Sequence, residues 1–166
     1  MKKRVLSILV DNTAGVLSRV SGLFSRRGYN IDSLTVGVTA DPRYSRMTVV
    51  CSGDELILEQ ITKQLDKLVD VLHIKVLKSG NRVNRELILV KVKVDAKKRK
   101  DLTHIVDVFR ANIVDINKES VIIELTGGPN KLDAFIELID CYEILELART
   151  GMTGLSRGMN DVYYLE

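Results

Sequence analysis

"RVLSILVDNTAGVLSRVSGLFSRRGYNIDSLTVGVT" (residues 4–39) changes its hydrophobic period twice. Residues 4–10 form a short β-branched apolar run bounded by polar residues, the pattern of a buried strand. Val16, Leu17, Val20, Leu23 and Phe24 then recur at helical spacing, and Gly28 supplies a stop. Between them stand Asp11, Asn12 and Thr13, all acceptable helix N-caps. From Tyr29 to Thr39 a strand pattern returns. The order is strand, helix, strand.

"DPRY" (41–44) reads as a turn, with Pro42 fixing φ. "SRMTVVCS" (45–52) is a third strand, forming a hairpin with the second. Residues 53–70 read as a helix capped by Asp54, with Leu58, Ile61, Leu65 and Leu68 as its apolar stripe. Residues 71–77 are a fourth strand, with Leu72, Ile74 and Val76 on one face and His73 on the other. The plan is βαββαβ, the ferredoxin-like order.

After the polar "KSGNRVNRE" (78–86) the same order returns. Strands are expected at 87–94, 112–117, 120–125 and 142–150, and helices at 97–109 and 130–140, the second introduced by Gly128-Pro129. The fold class is therefore α+β, two ferredoxin-like βαββαβ domains in tandem. Residues 1–78 form the first domain, 79–86 a linker, and 87–166 the second, ending in a glycine-containing tail over 151–166. The halves repeat an architecture without sharing motifs.

Composition narrows the function. Apolar residues are 45% of the chain, enough for a core, and the net charge of +3 is too small to argue for nucleic acid. Tryptophan is absent and aromatic residues are few, so no base-stacking surface is indicated. Cys51 and Cys141 belong to no C-x-x-C pair, which excludes a disulfide framework and a zinc site. Cys51 reads as a buried thiol. The apolar run near the N-terminus is too short for a secretory leader, and no segment is long enough to span a membrane. A reducing, cytoplasmic setting is expected. His73 and His104 belong to no nucleophile motif, and "KKRK" (97–100) reads as solvated charge, with docking of an acidic partner as a sharper alternative. No catalytic constellation is visible.

The loop that follows the first strand is the best candidate site. It lacks both G-x-x-x-x-G-K-[ST] and G-x-G-x-x-G, which excludes the common phosphate loops. A helix start nonetheless offers free N–H groups to an anion, here those of Ala14, Gly15 and Val16. Gly15 permits close backbone approach. Asn12, and Asn30 if the first two strands are neighbours, add amide groups suited to an ammonium or a carboxylate. These groups suit a free amino acid. The same residue types also serve as caps and turn formers, so the residues alone leave both roles open.

Several stretches resemble a known family. "SGLFSRRGYNIDSLTV" (21–36), "LEQITKQLDKLVDV" (58–71), "NRELILVKVKV" (84–94), "KLDAF" (131–135) and "RTGMTGLSRG" (149–158) are similar to the small, regulatory subunits of acetohydroxyacid synthase (acetolactate synthase). The resemblance covers essentially the whole chain. It implies an N-terminal ACT domain followed by the family's C-terminal ferredoxin-like domain. It implies a non-catalytic regulator that activates a thiamine-diphosphate-dependent catalytic subunit and mediates feedback inhibition by valine in branched-chain amino acid biosynthesis. Leucine and isoleucine are admitted as further effectors. Thiamine diphosphate, magnesium and FAD belong by this resemblance to the catalytic partner, and this chain holds no cofactor or metal. The implied partners are the catalytic large subunit and a second copy, paired through ACT domains, with no nucleic acid and no membrane. The implied valine site lies at that dimer interface: Asn12, Ala14, Gly15, Val16 and Leu17 after the first strand, with Asn30 and Ile31. Asp11 stands where the family often carries glutamate. The alternative is a stand-alone ACT-type amino-acid sensor.

Overall fold

The computed structural model describes residues 2–159 and 162–163. The chain runs β1 (Lys2–Asp11), α1 (Val16–Arg26), β2 (Ile31–Val38), β3 (Tyr44–Gly53), α2 (Glu55–Leu65) and β4 (Val71–Val76). It continues with β5 (Arg82–Lys93), α3 (Ala96–Phe109), β6 (Asn112–Ile116), β7 (Ser120–Gly127), α4 (Pro129–Leu138), β8 (Glu143–Arg149) and β9 (Thr153–Ser156). The expected α+β architecture is present, as two antiparallel sheets with βαββαβ order.

In the first unit the sheet order is β2-β3-β1-β4. Alternation along the strands sends Leu6, Ile8 and Val10 of β1 and Met47, Val49 and Cys51 of β3 to one face. There they meet Val16, Val20, Leu23 and Phe24 of α1 and Leu58, Ile61 and Leu65 of α2. Each such side chain, fully buried, contributes about 1.5–3 kcal/mol, and the helical spacing of the α1 and α2 residues is what lets one stripe per helix do so. The Asp54 side chain caps α2 by accepting from the Ile57 N–H at 2.8 Å. The Cys51 thiol is fully buried, and burial, with the nearby Asp32 carboxylate, pushes it up to about 11.

The second unit, Asn84–Gly151, has its own sheet, β6-β7-β5-β8. Ile88, Val90, Val92, Val121, Ile123 and Leu125 face Leu102 and Val106 of α3 and Leu132 and Phe135 of α4. Phe109 and Phe135 meet edge to face at 5.3 Å. Asp95 caps α3 through the N–H groups of Lys97 and Lys98. Arg149 ties Glu86 to Asp133, at 2.5 and 2.7 Å. Glu86 is buried, so this pairing matters to its cost.

The division of the chain differs from the sequence reading in two places. Residues 79–86 are not a linker throughout: β5 begins at Arg82, and the units divide between Val83 and Asn84. The described residues from Met152 onward group with the first unit, not the second. The reason is on the helix-free face of the first sheet. Val5, Val50 and Leu77 leave an apolar spot there, and Met152 buries against it. The Met152 N–H donates to Ser33 Oγ (3.2 Å), Thr35 Oγ donates to the Met152 carbonyl (2.9 Å), and the Gly154 N–H donates to Thr48 Oγ (3.3 Å). β9 pairs with β5, whose first two residues, Arg82 and Val83, belong to this unit. A tail rich in glycine thus carries a short strand that periodicity alone does not reveal.

Candidate functional site

The β1–α1 loop is held from two sides. The Asn12 N–H donates to the Arg43 carbonyl (2.7 Å), and its side-chain amide donates to the Pro42 carbonyl (2.9 Å). Its side-chain oxygen accepts from Ser45 Oγ (3.1 Å). Asn12 is therefore committed to the turn between β2 and β3, and both halves of its amide are in use. This takes Asn12 away from capping α1, and neither Asp11 nor Thr13 caps it. The N-cap is Gly15, in the left-handed region at φ 86°, with no side-chain cap bond.

The opposite side of the loop is braced by Asp70. Its carbonyl accepts from the Asp11 N–H (2.9 Å), and its carboxylate takes two bonds from Arg19, one turn into α1. Arg19 in turn lies over Gly15: a Cβ built on that glycine would stand 3.0 Å from Arg19 Nη1. The hydrogen bond from Arg19 holds the Asp70 carboxyl below its usual range. Within this frame the N–H groups of Ala14 and Gly15 have no hydrogen-bond partner among the described residues. The Val16 N–H has only a long approach, 3.5 Å, to the Thr13 carbonyl. The arrangement presents a short row of backbone donors at a helix start, and a carboxylate is a natural occupant of such a row.

The side chains sort differently from the sequence reading. Val16 is buried in the core, so only its backbone faces outward chemistry. Leu17 is 46% exposed and offers apolar surface beside the donors. Ile31 packs against the helix-side core. Asn30 is exposed and donates to Asp32 Oδ1 at 3.0 Å. The supposed neighbourhood of β1 and β2 does not occur, because β3 lies between them. Register separates them further. Ile31 stands opposite Cys51, and Cys51 stands opposite Arg4, whereas the loop begins seven residues later at Asp11. At about 3.3 Å per residue that is about 23 Å along the sheet. One chain does not bring Asn30 and Ile31 to the loop that carries Asn12, Ala14, Gly15, Val16 and Leu17.

Sequence reasoning missed Arg19, Asp70 and Ser45, the residues that shape the loop. Their partners lie 51 and 33 positions away in the chain, and no local pattern marks such a pairing. Arg99 of the "KKRK" run is likewise not solvated charge: its guanidinium donates to the Asn117 and Lys118 carbonyls. Among the described residues no cluster of three metal-ligating side chains occurs, and no helix is long and apolar enough to cross a membrane.

Residues 6–73 match the model of the AHAS small subunit-like ACT domain, and residues 85–158 match that of the small subunit of acetolactate synthase. The chain is 50% identical over 157 residues to the acetolactate synthase isozyme 3 small subunit of Escherichia coli, covering 94% of this chain and 96% of that protein. It is 50% identical over 153 residues to the acetolactate synthase small subunit of Mycolicibacterium smegmatis, covering 92% and 90%. The crystal structure of the small subunit from Thermotoga maritima superposes with a TM-score of 0.90 at 39% identity, covering 96% of this chain and 99% of that one.

Proposed function

The chain belongs to the family of small, regulatory subunits of acetolactate synthase, and we propose that it reports the level of valine to the catalytic large subunit. Membership makes it a non-catalytic partner of that large subunit in branched-chain amino acid biosynthesis. The sensing role and its site are our reading. Thiamine diphosphate, magnesium and FAD are then held by the catalytic partner in the cytoplasm, and this chain contributes activation and feedback.

One observation carries the reading: the two halves of the candidate site lie at opposite ends of one sheet. A two-fold axis resolves the separation. β2 is an edge strand with Val36 and Val38 exposed, and an open apolar edge invites a second copy. Pairing two β2 strands antiparallel sets the start of one beside the end of the other, and that end is level with the partner's β1–α1 loop. The site is then completed twice per dimer. The valine carboxylate sits on the N–H groups of Ala14, Gly15 and Val16. Asn30 of the other copy accepts from the ammonium, and Leu17 and Ile31 contribute apolar surface. Asn12 acts at one remove, by fixing the loop to the β2–β3 turn. Selection among valine, leucine and isoleucine is modest, about 1–3 kcal/mol per methylene. Valine inhibits because it binds the less active assembly more tightly.

Calorimetric titration of the purified full-length chain tests this. Valine is expected to saturate near one per chain, with threonine much weaker and Asn30→Ala abolishing the heat. A folded, dimeric chain that binds no valine, alone or with its catalytic subunit, sinks the proposal.

A further inference from the structure

The helix-free face of the first sheet carries a second concavity, independent of the valine reading. It has a volume of about 260 Å³, and the segment after Met152 forms its other wall. From the sheet come Ser7, Arg46, His73 and Leu77, and from that segment come Leu155 and Tyr163. We propose that this concavity binds a small organic carboxylate with a short apolar tail.

Charge is the first argument. Arg46 is only partly exposed, and its one hydrogen-bonded partner among the described residues is Ser7 Oγ, at 2.9 Å. It pairs with no carboxylate among the described residues. Burial disfavours its charged form, and an anionic ligand would offset that cost. His73 is the second argument. Its Nε2 is wholly buried and has no hydrogen-bond partner among the described residues. Its ring stacks on Tyr163 with centroids 5.1 Å apart and planes inclined by 17°, which holds that nitrogen in place. No described carboxylate lines the concavity. A guanidinium and an imidazole N–H on one wall match the oxygens of a carboxylate. Leu77 and Leu155 supply the apolar remainder. The volume is below the range typical of drug-sized ligands, which points to a compact acid.

His73 and His104 are the only histidines, so their ring signals in a carbon-13 correlated NMR spectrum are assigned by a single His73→Gln variant. The full-length chain is titrated with isovalerate, with isovaleramide as the neutral isostere and inorganic phosphate as the rival anion. The expected result is a saturable shift of the His73 ring with His104 unmoved. It is weakened about tenfold or more by Arg46→Met, because the charge-assisted bonds are lost. If Arg46→Met does not fold, Arg46→Lys is used, which keeps the charge but lacks the planar fork and is expected to bind several-fold more weakly. Equal response to isovaleramide, saturation by phosphate with isovalerate silent, or no His73 shift at all would overturn the proposal.

Discussion

Arg19 grips Asp70 through two bonds, Nε to Oδ2 at 2.5 Å and Nη2 to Oδ1 at 2.9 Å. The pair closes the β1–α1 loop against the chain that enters β4. Its contribution depends on pH with a definite sign. The hydrogen bond from Arg19 lowers the folded-state value of Asp70, so the stabilisation is complete above the unfolded value and fades as pH falls through the folded one. Asp70→Asn removes that dependence. The urea midpoint of the wild type is expected to exceed that of the variant at neutral pH. The gap should hold down to about pH 4, the ordinary aspartate value, and close below it. Parallel pH profiles would show that the pair does not couple to folding.

Gly15 answers to two constraints at once, and a substitution series separates them. Its φ of 86° strains any side chain, and the space beside it is taken by Arg19. Gly15→Ala is expected to cost about 1–2 kcal/mol of stability from the backbone. Gly15→Asp adds a carboxylate that competes with Asp70 for Arg19 and repels the carboxylate of a bound amino acid. In the complex with the catalytic subunit, the valine concentration for half inhibition should rise by about tenfold or more from Ala to Asp, since a close like charge costs at least about 1.4 kcal/mol. Each variant is referred to its own rate without valine. An Asp variant as valine-sensitive as the Ala variant removes Gly15 from the site.

Arg110 is the one described non-glycine residue with positive φ, at 54°. It ends α3 as a left-handed cap, and its backbone N–H donates to the Asp107 carbonyl at 3.0 Å. Glycine is the usual residue at such a cap because it lacks a Cβ. Arg110→Gly is therefore expected to stabilise the protein by about 0.5–1 kcal/mol, despite removing a side chain. The increase is read as a higher denaturant midpoint at unchanged slope. A lower midpoint would show that the exposed Arg110 side chain contributes more than the strain costs.

How much of this was legible in the sequence follows from where each signal resides. The helical stripe of Val16, Val20, Leu23 and Phe24 and the alternation of Leu6, Ile8 and Val10 are local, and both domains' element order came from patterns of that kind. The partners of Asn12 and Arg19 are not local. Asn12 has the composition of a cap, but Pro42, Arg43 and Ser45 take it for the adjacent turn. Likewise, Met152 follows a glycine in a polar stretch, and only Val5, Val50 and Leu77 on the folded sheet turn it into a core residue. The separation of Asn30 from the loop is set by the strand order β2-β3-β1-β4, which periodicity does not encode.

That strand order yields the most demanding test of the valine site. If Gly15 of one copy and Asn30 of the other serve the same ligand, two damaged chains repair one another. Gly15→Asp homodimers carry two broken loops, and Asn30→Ala homodimers carry two broken strand starts, so neither binds valine. A mixed dimer joins the intact loop of the Asn30→Ala chain to the intact Asn30 of the Gly15→Asp chain. One site is restored, and the other carries both lesions. Random assortment makes about half of the dimers mixed, so about one quarter of all sites recover. Calorimetry on chains mixed, dissociated and reassociated in equal amounts should show that stoichiometry with near-wild-type affinity, while each variant treated alone stays silent. A site built within one chain predicts no recovery at any mixing ratio. The same outcome, with mixed dimers independently demonstrated by mass spectrometry, would reject the shared-interface reading.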